Sequence, residues 1–290
     1  MFVERLSRKT EGRLNIEHQH SARFFRDRNV IKALSDGKVE MAVPGTWQFD
    51  RFEPNVGVFL LPMFYGRGSA INYRLRDGEI GQDLNRRLEQ VLDIKVLGRW
   101  IDLGYAHLYG VEKPIRTHQD LSGMLIRIPG GEANAARLAA LGAVPKIISW
   151  PDLPSALEHG TVEGLLTTHA TVVSARLWEK GIRHAFEDRQ YFPQYIPIIS
   201  QSFWKRLPQD LRLDIAETWE GVVETGRKMA AQAQKEAYST LVENGVNIVT
   251  PSTIELKRWR RRMAARQPGL VKRMGIDPKL VDAIRLRLGD

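Results

Sequence analysis

Residues 123 to 131 read GMLIRIPGG and place a guanidinium in the middle of an apolar run. Met124, Leu125, Ile126, Ile128 and Pro129 around Arg127 suggest a buried strand. A buried charge without a partner costs several kcal/mol, so Arg127 needs an anion. An internal carboxylate and an anionic ligand both satisfy that need.

Other candidate groups lack a catalytic arrangement. The sequence contains no His-Glu-x-x-His, no Gly-x-Ser-x-Gly, no P-loop and no Gly-x-Gly-x-x-Gly after a strand. Cysteine is absent, which removes thiolate metal sites, disulfides and a Cys nucleophile from consideration. No clustered oxygen-ligand motif suggests calcium or magnesium, so neither a metal nor a cofactor is expected. IPGGEANAARL, starting at Ile128, is a strand-to-helix turn that could present N–H groups to an anion, and it also reads as an ordinary helix start. An enzyme acting on a small carboxylate is therefore one alternative.

Nucleic acid is another. Lys257 to Arg266, KRWRRRMAAR, is a basic run suited either to phosphates or to a solvated helix face. The chain of 290 residues carries 43 Lys and Arg against 34 Asp and Glu, a formal charge of +9 that favours anionic partners at long range. No apolar stretch reaches the length needed to span a bilayer, and MFVERLSRKTEGR at the start has no apolar core of a secretory leader.

The elements that must position Arg127 follow an α/β pattern with an internal repeat. ALSDGKVEMAV from Ala33 and ALEHGTVEGLL from Ala156 share the frame Ala-Leu-x-x-Gly-x-Val-Glu. Each passes from a helix end through a Gly cap into an apolar strand. Each also follows an earlier strand candidate, RLNIEHQ before the first and LIRIPGG before the second. NVGVFLLPMF and IKVLGRWIDL read as buried strands around the helix GEIGQDLNRRLEQVL. A long amphipathic helix is expected from about Pro208 to just before Gly245, with Leu211, Ile215, Trp219, Val222, Met229, Ala233, Ala237 and Leu241 on its apolar face. VNIVT reads as a short strand, and Ser252 with Glu255 forms a capping box for a further helix.

In combination these segments resemble the substrate-binding proteins of TRAP (tripartite ATP-independent periplasmic) transporters. The resemblance runs nearly end to end through RKTEGRLNIE, VIKALSDGKVEMAV, FLLPMFYGR, KPIRTHQDLSGMLIRIPGGEA, LGAVPKIISWPDLPSALEHGTVEGL and FWKRLPQDL. Its most specific part is the Pro-Ile-x-x-x-x-Asp-Leu-x-Gly-x-x-Ile-Arg-x-Pro block from Pro114 to Pro129. It implies a two-lobed α/β periplasmic binding protein fold, with crossing strands and a long helix in the C-terminal half joining the lobes. The expected lobes are 1–104 plus 193–232 and 105–192 plus 233–290. The implied function is a receptor, without catalysis, that binds a small organic acid and hands it to TRAP permease membrane subunits. A periplasmic location and a monomer follow from the same resemblance, as does the expectation that the family's first strand and cleft loop precede Phe2.

The resemblance also assigns residues. Arg127 stands where the family pairs an Arg with the ligand carboxylate, a task to which the planar fork suits it better than a Lys. Trp150 stands at a family aromatic that lines the cleft. Thr167 occupies the place of a ligand-binding Asn, and Ala106 and His107 replace a family Gly-x-Arg, so a second Arg contact is not expected there. Asp152 and Pro154 replace a usual Glu-x-Tyr. Trp47 follows the first repeat's strand as Thr167, Thr168 and His169 follow the second, and both segments fall beyond strand ends, where α/β ligands gather. Trp47, Thr167 and His107, followed by Tyr65, Gln194 and Tyr195, complete the expected ligand set. Trp150 also reads as an ordinary staple, and the tyrosines as packing. With Trp47 and Trp150 at the site, the expected ligand is a monocarboxylate with an apolar or aromatic body.

Overall fold

The computed structural model describes residues 1–20 and 22–289. Its strands are β1 (Met41–Ala42), β2 (Ile94–Val96), β3 (Ile101–Asp102), β4 (Ala106–Gly110), β5 (Leu125–Ile128), β6 (Val144–Ile147), β7 (Gly164–Thr168), β8 (His184–Tyr191), β9 (Gln194–Tyr195), β10 (Ile198–Ser200) and β11 (Asn247–Val249). They form a three-stranded sheet in the order β1-β10-β2 and a six-stranded sheet in the order β11-β8-β4-β7-β5-β6. Between the two lies the pair β3-β9.

The chain passes between the large sheets on each side of that pair. β2, β3 and β4 carry it one way, and β8, β9 and β10 carry it back. The third connection is the helix Gln209–Glu243, whose 35 residues extend roughly 50 Å at 1.5 Å per residue. Its Leu211, Ile215, Trp219 and Val223 pack with Leu6, Leu97 and Ile199 beside the small sheet. At its far end Leu241 joins Tyr109, Leu165 and Val172 on the large sheet. Most of the expected apolar stripe is buried, but Met229 is 60% exposed. That residue sits in the middle of the span, between the two packing regions.

The two copies of the repeated frame fold alike. In the first, the Lys38 N–H donates to Ala33 O at 2.8 Å, and in the second the Thr161 N–H donates to Ala156 O at 2.9 Å. Gly37 (φ 71°) and Gly160 (φ 63°) take the left-handed conformation that ends each helix. One copy leads into β1 and the other into β7.

Two sequence expectations need correction. NVGVFLLPMF is buried as expected, but it forms the 3-10 segments Pro54–Leu60 and Pro62–Phe64. Pro54 and Pro62 each open a tight turn, and the Glu53 carboxylate accepts the Asn55 N–H, so the backbone is satisfied locally without a ladder. RLNIEHQ is not a strand either. Among the described residues none pairs with it, and Arg13 to Gln19 run as irregular chain along a cavity wall.

The helix Glu79–Val91, the strand β11 and the helix Thr253–Ala264 with its Ser252–Glu255 capping box form as expected. IKVLGRWIDL is divided into β2 and β3. The basic run on Thr253–Ala264 is partly structural. Trp259 packs edge-on to Phe186 and His118, the Arg260 guanidinium donates to Tyr65 O at 2.9 Å, and Arg266 donates to Ala140 O.

Candidate ligand-binding cavity

A cavity of about 1420 Å³ lies between the two sheets and is walled by both. The register of the large sheet builds one wall. Arg127 on β5 sits beside Leu165 on β7, and Thr167, two residues on, faces His107 on β4, so one sheet face carries Arg127, Thr167 and His107. Arg127 and Thr167 line the cavity, together with Pro129, Trp150 and Thr168. Across from them stand Asp27, Met41 and Trp47, and the crossing strands contribute Tyr191 and Tyr195.

Arg127 is only 2% exposed. Its Nε donates to Ile148 O at 2.9 Å, which fixes the plane of the guanidinium. Its terminal nitrogens make no hydrogen bond to the described residues, and no carboxylate lies within ion-pair distance. Burial pulls its pKa down to about 10, against the pull of Asp27, which acts without contact. Burial likewise pushes the Asp27 carboxyl above its ordinary value, and Arg127 opposes this. The guanidinium is thus desolvated, oriented and free to form two parallel bonds to a planar anion.

An aromatic wall stands next to it. The Trp47 ring meets Tyr195 at 5.2 Å and Tyr191 at 6.5 Å, both edge-on. A β-bridge from Gly45 to Tyr195 holds the two segments together. Trp47 Nε1 is buried and makes no hydrogen bond among the described residues. Arg26 pairs with Asp152, and neither side chain lines the cavity.

Of the expected residues, the cavity gathers Arg127, Trp150, Thr167, Trp47 and Tyr195. His107, Tyr65 and Gln194 do not line it. His107 is 4% exposed and set beside Thr167 on the neighbouring strand, where burial drives its pKa down to about 3. Tyr65 is only 1% exposed, and Gln194 on β9 carries a sealed side-chain amide. Asp27, Tyr191 and Thr168 were missed as wall residues. Thr168 stood in a stretch already singled out and Tyr191 lies three residues before the candidate Gln194, whereas Asp27 has no local signal.

Gly45 has ordinary extended dihedrals (φ −72°, ψ 152°), but a Cβ there would come within 2.2 Å of the Trp47 ring. Gly45→Ala is therefore expected to push the indole out of the wall. The near-UV circular dichroism should change, and solute affinity should fall by about tenfold or more, equivalent to roughly 1.4 kcal/mol. Titration calorimetry on the folded variant checks this.

The profile described as "Bacterial extracellular solute-binding protein, family 7" matches residues 1–268. The C4-dicarboxylate-binding periplasmic protein DctP of Rhodobacter capsulatus is 27% identical over 247 residues, 82% of this chain and 73% of its own. A TRAP periplasmic solute-binding protein of Sulfurospirillum deleyianum, solved with bound succinate, is 25% identical with a TM-score of 0.86 and covers 98% of this chain and 91% of its own. The sugar acid binding protein DctPAm of Advenella mimigardefordensis, solved with galactonate, has a TM-score of 0.91 at 20% identity, covers 99% of this chain and 91% of its own, and so bears on the fold alone.

Proposed function

We infer that this chain, which belongs to the bacterial extracellular solute-binding protein family 7, captures a small organic acid by its carboxylate and delivers it to a TRAP-type membrane permease. Members of the family are receptors and not enzymes, and the chain has their two-lobed α/β fold. The observation that carries the choice of ligand is Arg127, buried, oriented by Ile148 O and without a carboxylate at ion-pair distance. Relatives named for C4-dicarboxylates and solved with succinate support the same class. Location in the periplasm is supported by the family's extracellular and periplasmic members.

The proposed contacts are Arg127 for the carboxylate, Trp47, Trp150 and Tyr195 for the body of the acid, and Thr167 for a polar substituent. The aromatic wall favours a monocarboxylate with an apolar or aromatic body. The lobes proposed are 1–104 plus 193–232 and 105–192 plus 233–290, a division supported by the separation of the two sheets and the crossings at β3 and β9.

A thermal-shift panel of aliphatic and aromatic monocarboxylates, dicarboxylates, sugar acids and neutral sugars tests this reading. Stabilisation that rises with the concentration of an acid is expected. Response to neutral sugars alone would remove the carboxylate assignment, and response to dicarboxylates alone would remove the monocarboxylate preference.

A further inference from the structure

Beside Thr167, and outside the cavity lining, three buried titratable side chains converge. They are His107 on β4, His169 at the start of the helix His169–Ser174, and Glu187 on β8. One donor atom from each lies within 4.8 Å of the others. We propose that His107, His169 and Glu187 hold a divalent transition cation of the zinc type that ties β4, β8 and the end of β7 together beside the ligand wall.

The donor set is two imidazoles and a carboxylate, ligands that suit such a cation. Metal–ligand bonds of about 2.0–2.1 Å imply tetrahedral edges of roughly 3.3 Å. His169 Nε2 lies 3.0 Å from Glu187 Oε1, and His107 Nε2 lies 3.8 Å from the same oxygen, so the edges bracket that value. The surroundings orient the donors. Tyr109 Oη is 2.6 Å from His169 Nδ1, and a proton on Nδ1 shared with that oxygen leaves the Nε2 lone pair free for a metal. Thr250 Oγ1 donates to Glu187 Oε2 and leaves Oε1 facing the two rings.

The second observation is His107 itself. Its Nδ1 is sealed from solvent without a hydrogen bond among the described residues, and its Nε2 faces Glu187 Oε1 at 3.8 Å. A hydrogen-bonded His169–Glu187 pair accounts for those two residues but leaves His107 aimed at Glu187 from a distance too long for a hydrogen bond. A cation between the three gives His107 Nε2 a partner. Arg189 acts on His107 electrostatically and works against a cation, so a single carboxylate must outweigh it.

Capture of the cation and capture of the acid use different residues, so either can fail without the other. The test uses untagged full-length protein stripped with a chelator. Because His18 and His20 lie near each other (ring centroids 6.2 Å apart) and could bind metal, the reference is the His18→Ala/His20→Ala variant. Cobalt(II) titration of it should give visible d–d bands of four-coordinate intensity that saturate at one equivalent and disappear when zinc is added. Its melting temperature should rise with the logarithm of zinc concentration. Glu187→Gln and His107→Gln should each weaken zinc by more than about 100-fold, and Tyr109→Phe, which removes only the orienting contact, by about 10–100-fold. Absence of saturable uptake by the reference protein overturns the proposal whether or not the other variants fold. Unchanged zinc affinity in folded Glu187→Gln overturns it as well.

Discussion

Arg127→Ala is expected to abolish organic-acid binding while leaving the ligand-free protein nearly as stable as the parent. The expected loss follows from the two terminal nitrogens that the protein leaves unused. Each charge-assisted hydrogen bond to a carboxylate is worth about 1.5–3 kcal/mol, so losing two lowers affinity by about 100-fold or more. Arg127→Lys replaces the fork with a point charge and should lose about 10–100-fold. Stability should move by only about 1 kcal/mol, because no carboxylate lies in contact to be left unpaired, and the guanidinium is itself desolvated at a cost. Calorimetry with the acid found in the thermal-shift panel, set beside urea unfolding of the free protein, reads both quantities. Unchanged affinity in Arg127→Ala would remove Arg127 from the site.

Arg227 should behave in the opposite way. It is also a buried arginine, 4% exposed, on the long helix Gln209–Glu243. Its Nη1 donates to Asp77 Oδ2 at 2.6 Å and its Nη2 to Asp77 Oδ1 at 2.8 Å, with a further bond from Nη2 to Trp100 O at 2.6 Å. Arg227→Met keeps the aliphatic stem but orphans the Asp77 carboxylate and Trp100 O, and it removes a longer contact to the exposed Glu224 at 3.3 Å. Breaking a buried pair costs about 3–5 kcal/mol. The lower end is expected because the Asp77 side chain is 21% exposed and Arg76 Nε, at 3.6 Å, can take up part of its charge. The urea midpoint should fall with an unchanged slope, and the folded fraction should still bind the acid. A stability loss in Arg127→Ala as large as that in Arg227→Met would show that Arg127 is structural.

These two arginines show how much of the site was legible in the chain. Arg127 was conspicuous because a guanidinium flanked by Ile126 and Ile128 contradicts its neighbours, and the contradiction is local. Arg227 gave no such signal. It falls in a polar stretch of a long helix, and its partner Asp77 is 150 residues away. Asp27, which acts on Arg127 from the facing wall, was invisible for the same reason.

His107 marks the limit from the other side. The sequence singled it out as a candidate ligand contact, but its place beside Thr167 comes from the pairing of β4 with β7. Whether its ring meets the cavity or Glu187 depends on the pairing of β4 with β8, whose register shifts between Ala106 and Leu108. No local pattern encodes that shift.

What the sequence by itself determined is therefore the part governed by interactions within a few residues. The Gly-capped helix ends of both repeats, the Ser252–Glu255 capping box, the span of the long helix and the strand around Arg127 all rest on backbone sterics, caps and hydrophobic period. Only the tertiary structure decided which apolar runs become strands. The segment from Pro54 to Phe64 is as hydrophobic as any strand, yet it closes its hydrogen bonds in 3-10 turns. Arg13 to Gln19 lack a pairing partner and lie along the cavity instead. A strand exists only where a distant segment offers it donors and acceptors, and a binding wall only where two such sheets face each other, so neither is a property of a short stretch of chain.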